Sequence, residues 1–157
     1  MKTLILYATK HGAAAEIARR ISEKIDGAAI HDLKQGGVPP ISDFGCVIIG
    51  SSIYAGAIRK EAKAFMSKNA EALRGMKFGI FISCLETDKE KEFLDANFQA
   101  DVLQAAKSAS SLGGVFDPAK AGAFERFIIK LIKKGLKHIN TIDDDKIAQF
   151  AEEMQSS

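Results

Sequence analysis

The chain is poor in the features that would let it be something other than an ordinary folded domain. Two cysteines, Cys46 and Cys84, are too few for a disulfide framework and have no metal-ligand spacing. The strand pattern below puts them at opposite ends of neighbouring parallel strands, beyond disulfide reach. No apolar run approaches the ~18 residues needed to span a bilayer. The apolar start after Lys2 stops at Lys10-His11, too short for a secretory h-region, so a cytoplasmic protein is expected. The formal net charge is only +2, which argues against nucleic acid as a partner. There is no internal repeat, low-complexity tract or interdomain linker. Neither G-x-G-x-x-G nor G-x-x-x-x-G-K-[ST] occurs, which weakens dinucleotide and nucleoside-triphosphate readings. No His, Asp or Glu cluster has metal spacing.

What is present is an alternation of strand and helix signals. The 157 residues suit one domain, 1–157, with enough hydrophobic content (46%) for a substantial core. Apolar strand runs fall at Thr3–Tyr7, Ala28–Leu33, Cys46–Gly50 and Lys77–Ser83, with a fifth strand expected at Gly113–Phe116. Between them, helices are expected from Ala13, with Ile17, Ala18, Ile21 and Ile25 on one face, and after Gly56, with Ile58, Ala62, Phe65, Met66 and Leu73 buried. A charged helix is expected from Asp88 to about Ser108. A last helix runs from about Asp143 to Met154, its acidic first turn matched to the helix dipole.

Strands separated by helices argue an α/β doubly wound parallel sheet. Five strands fit the order 2-1-3-4-5, with a switch point between the first and third. The loops meeting there are Ala8–Ala14 and Ser51–Gly56, and Ser83–Thr87 reaches the same edge. One element is surplus to the alternation: Phe124–His138. It has an apolar stripe (Phe124, Phe127, Ile128, Leu131, Ile132, Leu136) and a basic face (Arg126, Lys130, Lys133, Lys134, Lys137), and is expected as an extra amphipathic helix before the last one. Such a stripe suits packing on the body of the protein, an anionic membrane surface or an acidic partner.

The first loop carries the chemistry. Thr9, Lys10, His11 and Gly12, then Ala13 and Ala14, bring a hydroxyl and several backbone N–H groups to a helix N-terminus with no bulky side chain in the way. That suits a terminal phosphate.

The run Tyr7-Ala8-Thr9-Lys10-His11-Gly12-Ala13-Ala14-Ala15-Glu16-Ile17-Ala18 resembles the phosphate-binding start of the flavodoxin family. The resemblance implies FMN as cofactor. Thr9 and the amides of Lys10 to Ala14 would hold the phosphate. Ser51, Ser52, Ile53, Tyr54, Ala55 and Gly56 would pass one side of the ring, with Tyr54 placed to stack. Ser83, Cys84, Leu85 and Glu86 would line the other. Alanines stand at 8, 13 and 14, where the family often has hydroxyls. A second resemblance is to the flavodoxin-like, menaquinone-dependent protoporphyrinogen dehydrogenases, through Gly50–Gly56 and Phe124–Ile132. It implies a quinone or a redox partner protein, and peripheral membrane contact through Phe124–His138. The expected activity is electron transfer with no catalytic acid or base. The alternatives are a quinone-linked protoporphyrinogen dehydrogenase, which would make the chain an FMN-dependent oxidoreductase, or an interaction module that has lost FMN.

Overall fold

The computed structural model describes residues 1–116 and 139–157. Its centre is a parallel sheet of β1 (Thr3–Ala8), β2 (Ala29–Asp32), β3 (Cys46–Tyr54), β5 (Lys77–Ser83) and β6 (Ser108–Ser111). The spatial order is β2-β1-β3-β5-β6, and the two-residue β4 (Ala57–Ile58) pairs antiparallel with the end of β3. Counting the parallel strands alone, the order is 2-1-3-4-5, as expected from the sequence.

The continuous apolar runs have a simple cause: both faces of the sheet are covered. Along β1, Leu4, Leu6 and Ala8 point to one core and Ile5 to the other; along β3, Val47 and Ile49 oppose Cys46 and Ile48; along β5, Phe78, Ile80 and Ile82 oppose Phe81. The first core is closed by α2 (Lys60–Arg74), α3 (Glu90–Asn97) and α4 (Ala100–Ala105). The second is closed by α1 (Ala13–Ser22) and α5 (Asp144–Gln155). Asp143 caps α5, its carboxylate accepting from the N–H groups of Asp145 and Lys146 at 3.0 and 3.1 Å.

Gly50 in mid-β3 makes one close approach possible. A Cβ there would lie 1.9 Å from Cζ of Phe81, its register partner on β5. The Phe81 ring fills that space and meets Phe150 edge-on, with centroids 6.4 Å apart.

Three expectations need correction. The fifth parallel strand is Ser108–Ser111, not Gly113–Phe116. The latter holds β7 (Val115–Phe116), which pairs antiparallel with β8 (Ile139–Asn140) in a separate two-stranded sheet. The sequence Ser-Ala-Ser-Ser carries no apolar signal because its polar groups are satisfied by neighbours. Ser108 Oγ donates to Glu153 at 2.6 Å, and the Ser111 N–H donates to Glu90 at 2.9 Å. Second, the single helix expected over Asp88–Ser108 is broken. Phe98 takes an extended conformation (φ −130°, ψ 144°) that separates α3 from α4. Third, Ser51–Tyr54 is not loop but the continuation of β3, and Ile58 belongs to β4 rather than to the following helix. The expected amphipathic helix Phe124–His138 lies outside the described residues. Among the described residues no helix is long and apolar enough to cross a membrane.

Candidate functional site

The C-terminal ends of β1, β3 and β5 open onto one cavity of about 310 Å³. Lys10, His11 and Ala13 line it from the first loop and Ser52, Ile53, Tyr54, Ala55 and Gly56 from the β3–β4 hairpin. Ser83, Cys84, Leu85 and Glu86 line it after β5. The remaining four expected residues do not line this cavity. Ala14, in the first turn of α1, is fully buried in the core. Ser51 is buried and structural: its hydroxyl accepts from the Arg59 N–H at 2.8 Å and donates to the Ser52 carbonyl at 3.0 Å, tying the start of α2 to β3. Thr9 and Gly12 shape the loop from behind.

The first loop is built by short-range hydrogen bonds. Thr9 Oγ1 accepts from the Gly12 N–H at 2.9 Å. Gly12 then adopts the left-handed region (φ 100°) as the N-cap of α1, a conformation that favours glycine. Having no side chain, it cannot cap the helix. Among the described residues no protein acceptor meets the N–H groups of Ala13 and Ala14. These are donors at a helix N-terminus, aligned for an anion. Ala8, in place of a hydroxyl residue, is 1% exposed and packs in the core below the loop, where an unpaired hydroxyl would be unfavourable. The Lys10 N–H donates to Ser52 Oγ at 3.2 Å, joining the first loop to β3.

The second wall is a tight hairpin. Ala55 and Gly56 both have positive φ (51° and 79°), the signature of a two-residue primed turn. Asn97, at the end of α3, clamps it: its Oδ1 accepts from the Ile58 N–H at 3.0 Å and its Nδ2 donates to the Gly56 carbonyl at 2.9 Å. The turn holds Tyr54 half-buried at the cavity wall. The Lys10 ammonium sits 3.2 Å from the Tyr54 ring centroid, with the Arg59 guanidinium at 5.9 Å, so the ring carries a cationic side.

The third wall is polar and acidic. Glu86 pairs with Lys89 at 2.9 Å. Burial pushes the Cys84 thiol pKa up, opposed by a hydrogen bond with Ser111 (3.3 Å) and reinforced by Glu86 and Glu90. Burial thus favours the thiol form of Cys84 in the cavity wall. Among the described residues no cluster could hold a metal ion.

The sequence reading missed five positions. Phe93 of α3 and Gly114, Val115 and Phe116 around β7 complete the apolar lining. Asn97 supports the hairpin from outside. The Gly113-Gly114 pair was a turn signal that could have marked the ligand edge; Asn97 left only the mark of a poor helix former where α3 ends.

A family profile described as "Flavodoxin domain" matches residues 4–143. The chain is 25% identical to protoporphyrinogen IX dehydrogenase [quinone] of Escherichia coli K12, over 98% of this chain and 94% of that protein. That alignment spans 174 positions against 157 residues, so the relative carries segments that this chain lacks. Among solved structures, the Streptococcus pneumoniae TIGR4 flavodoxin superposes with a TM-score of 0.55 at 16% identity, over 98% of this chain and 97% of that one. Rubredoxin oxygen:oxidoreductase from Desulfovibrio gigas gives a TM-score of 0.62 at 17% identity over 98% of this chain, which spans only 35% of that protein. At these identities the structural likenesses speak for the fold.

Proposed function

The chain belongs to the flavodoxin domain family, and on that premise we propose that it is a single-domain, FMN-binding redox protein working in electron transfer. The observation that carries the reading is the meeting of the α1 N-terminus, through Ala13, and an aromatic wall in one cavity. The Ala13 and Ala14 N–H groups at the N-terminus of α1 suit the FMN phosphate, and Thr9 fixes the loop beneath them by accepting from the Gly12 N–H. Tyr54 on the β3–β4 hairpin offers a flat face to the ring, and Ser83–Glu86 bounds the opposite side. Phe93, Val115 and Phe116 add apolar lining to the slot. Bound FMN supplies the electron-accepting and electron-donating chemistry; the chain supplies binding, orientation and surroundings. No side chain is assigned as acid or base.

Titration of FMN with the protein, followed by quenching of flavin fluorescence, tests this. One FMN per chain is expected, and Tyr54→Ala should weaken binding about tenfold, the scale of one lost aromatic contact. Absence of quenching at high micromolar protein overturns the reading and returns the chain to an interaction module.

The whole-length similarity to the E. coli enzyme favours a second reading: a dehydrogenase that oxidises a porphyrinogen with a quinone as acceptor. In that reading the basic, apolar-striped segment Phe124–His138 contacts an anionic membrane, where a lipid quinone resides. Anaerobic mixing with protoporphyrinogen, then with a menaquinone analogue, should bleach and restore the flavin absorbance. A protein that binds FMN but gives neither change is a carrier serving another redox partner.

A further inference from the structure

Beside the large cavity lies a second depression, of about 130 Å³, that the cofactor reading leaves unused. Lys10, Lys34 and Arg59 line it from three separate segments, over Ala8 and Thr9, and among the described residues Glu61 is the one carboxylate. Lys34 and Arg59 are the cations that carry the argument. Among the described residues no ion pair joins Lys34 or Arg59 to Glu61 or to another carboxylate. Thr9 Oγ1 already accepts from the Gly12 N–H, so its hydroxyl hydrogen is left to donate outward. Helix α2 starts here with Arg59 as N-cap and no side-chain cap, which adds its positive dipole end. The space suits a carboxylate or phosphate group and not a fused ring system. It is also distinct from the amides assigned to the FMN phosphate: Ala13 lines the large cavity, and neither Ala13 nor Ala14 lines the depression.

We propose that this depression is an oxyanion subsite, taking the carboxylate or phosphate tail of the small molecule that exchanges electrons at the cavity next door. The proposal rests on the redox reading. Its geometry follows from two shared residues. Lys10 lines both spaces, and Lys10 and Arg59 both lie over the Tyr54 ring. A molecule anchored by its acid group between Lys34 and Arg59 has its remaining atoms beside Tyr54, at the mouth of the large cavity. The subsite selects for negatively charged reductants or oxidants over neutral ones of the same ring chemistry.

The test uses the FMN-loaded, 15N-labelled full chain, titrated separately with inorganic phosphate and with tricarballylate at ionic strength held constant by NaCl. Saturable amide shifts at Thr9, Lys34 and Arg59 are expected, and the tighter anion tells whether the tail is phosphate or carboxylate. Lys34→Glu should weaken that anion at least tenfold while the FMN Kd changes less than twofold. Flat titrations with both anions overturn the proposal. So does a Lys34→Glu loss of FMN affinity that parallels the anion loss, because the depression would then be the cofactor's own phosphate anchor. If the chain takes no FMN, that result alone overturns the redox reading, and the same titration on the bare protein judges the subsite: saturable shifts leave an oxyanion site standing, and flat curves overturn it.

Discussion

Gly50→Ala is the most demanding test of the packing between β3 and β5. The added methyl would sit 1.9 Å from Phe81 Cζ and 2.1 and 2.3 Å from the two Cε atoms. Ordinary carbon contact is about 3.5–4.0 Å, so the ring must withdraw by roughly 1.6 Å. It has nowhere easy to go: Phe81 is fully buried, and Phe150 and Met154 beyond it are each 1% exposed. Overpacking of this kind costs about 1–3 kcal/mol, and end-on confinement of a rigid ring puts this case near the top of the range. For a chain of this size that is a fall in Tm of about 5–10 °C. With no tryptophan in the sequence, urea unfolding is best followed by circular dichroism at 222 nm. The midpoint should drop with the m-value unchanged. Phe81→Leu shortens the intruded side chain, so the double variant should be more stable than the summed single effects predict, by about 1 kcal/mol or more. A Gly50→Ala protein within 0.5 kcal/mol of the parent, or strictly additive effects, would refute the reasoning.

Two further predictions concern the α1–α5 face. Hydrogen bonds from Arg19 first and Arg20 second hold the Glu16 carboxyl down at about 2, and Arg20 continues to Asp144 of α5 at 2.9 Å. A depressed folded-state pKa stabilises the protein fully above about pH 4.5, and that contribution is lost as pH falls toward 2. Glu16 is 35% exposed, so solvent screening reduces it to about 1 kcal/mol. The stability gap between parent and Glu16→Gln should therefore close between pH 4.5 and 2, and a gap that does not change with pH counts against the ion-pair account. Asp143→Ala removes the carboxylate that accepts two first-turn N–H groups of α5. It should cost about 1 kcal/mol in denaturant unfolding, and Asp143→Ser should restore most of it; equal loss in both variants would exclude capping as the cause.

The central sheet was legible because its strands are buried on both faces. Cys46–Gly50 and Lys77–Ser83 read as strands without ambiguity, and the cap at Asp143 was visible as an acidic turn before an apolar helix. The first loop was legible for a different reason: Gly12 after Thr9, followed by small residues, leaves few uses for the backbone other than turning into a helix. What the residues hid was structure made by long-range hydrogen bonds. Ser108–Ser111 has no apolar pattern because Glu153 and Glu90 satisfy it from helices far away in sequence. The break at Phe98 carries no Gly or Pro; it follows Asn97, which is engaged across the cavity wall with Gly56 and Ile58. Likewise Ser51 was expected beside the ring from the family resemblance, whereas its hydroxyl is spent on Arg59 and Ser52.

The pairing of Val115 with Asn140 and of Phe116 with Ile139 brings together the two ends of the intervening segment, residues 117–138. Because the ends are clasped, chain inserted or deleted between them need not disturb the five parallel strands. Lengthening a closed loop is inexpensive, about 0.6 kcal/mol for each doubling. The clasp is a sheet of its own, apart from the parallel strands and the first loop. Val115 and Phe116 also line the large cavity, so the clasp forms part of its wall. A chimera exchanging residues 117–138 should therefore retain FMN binding, read by quenching of flavin fluorescence.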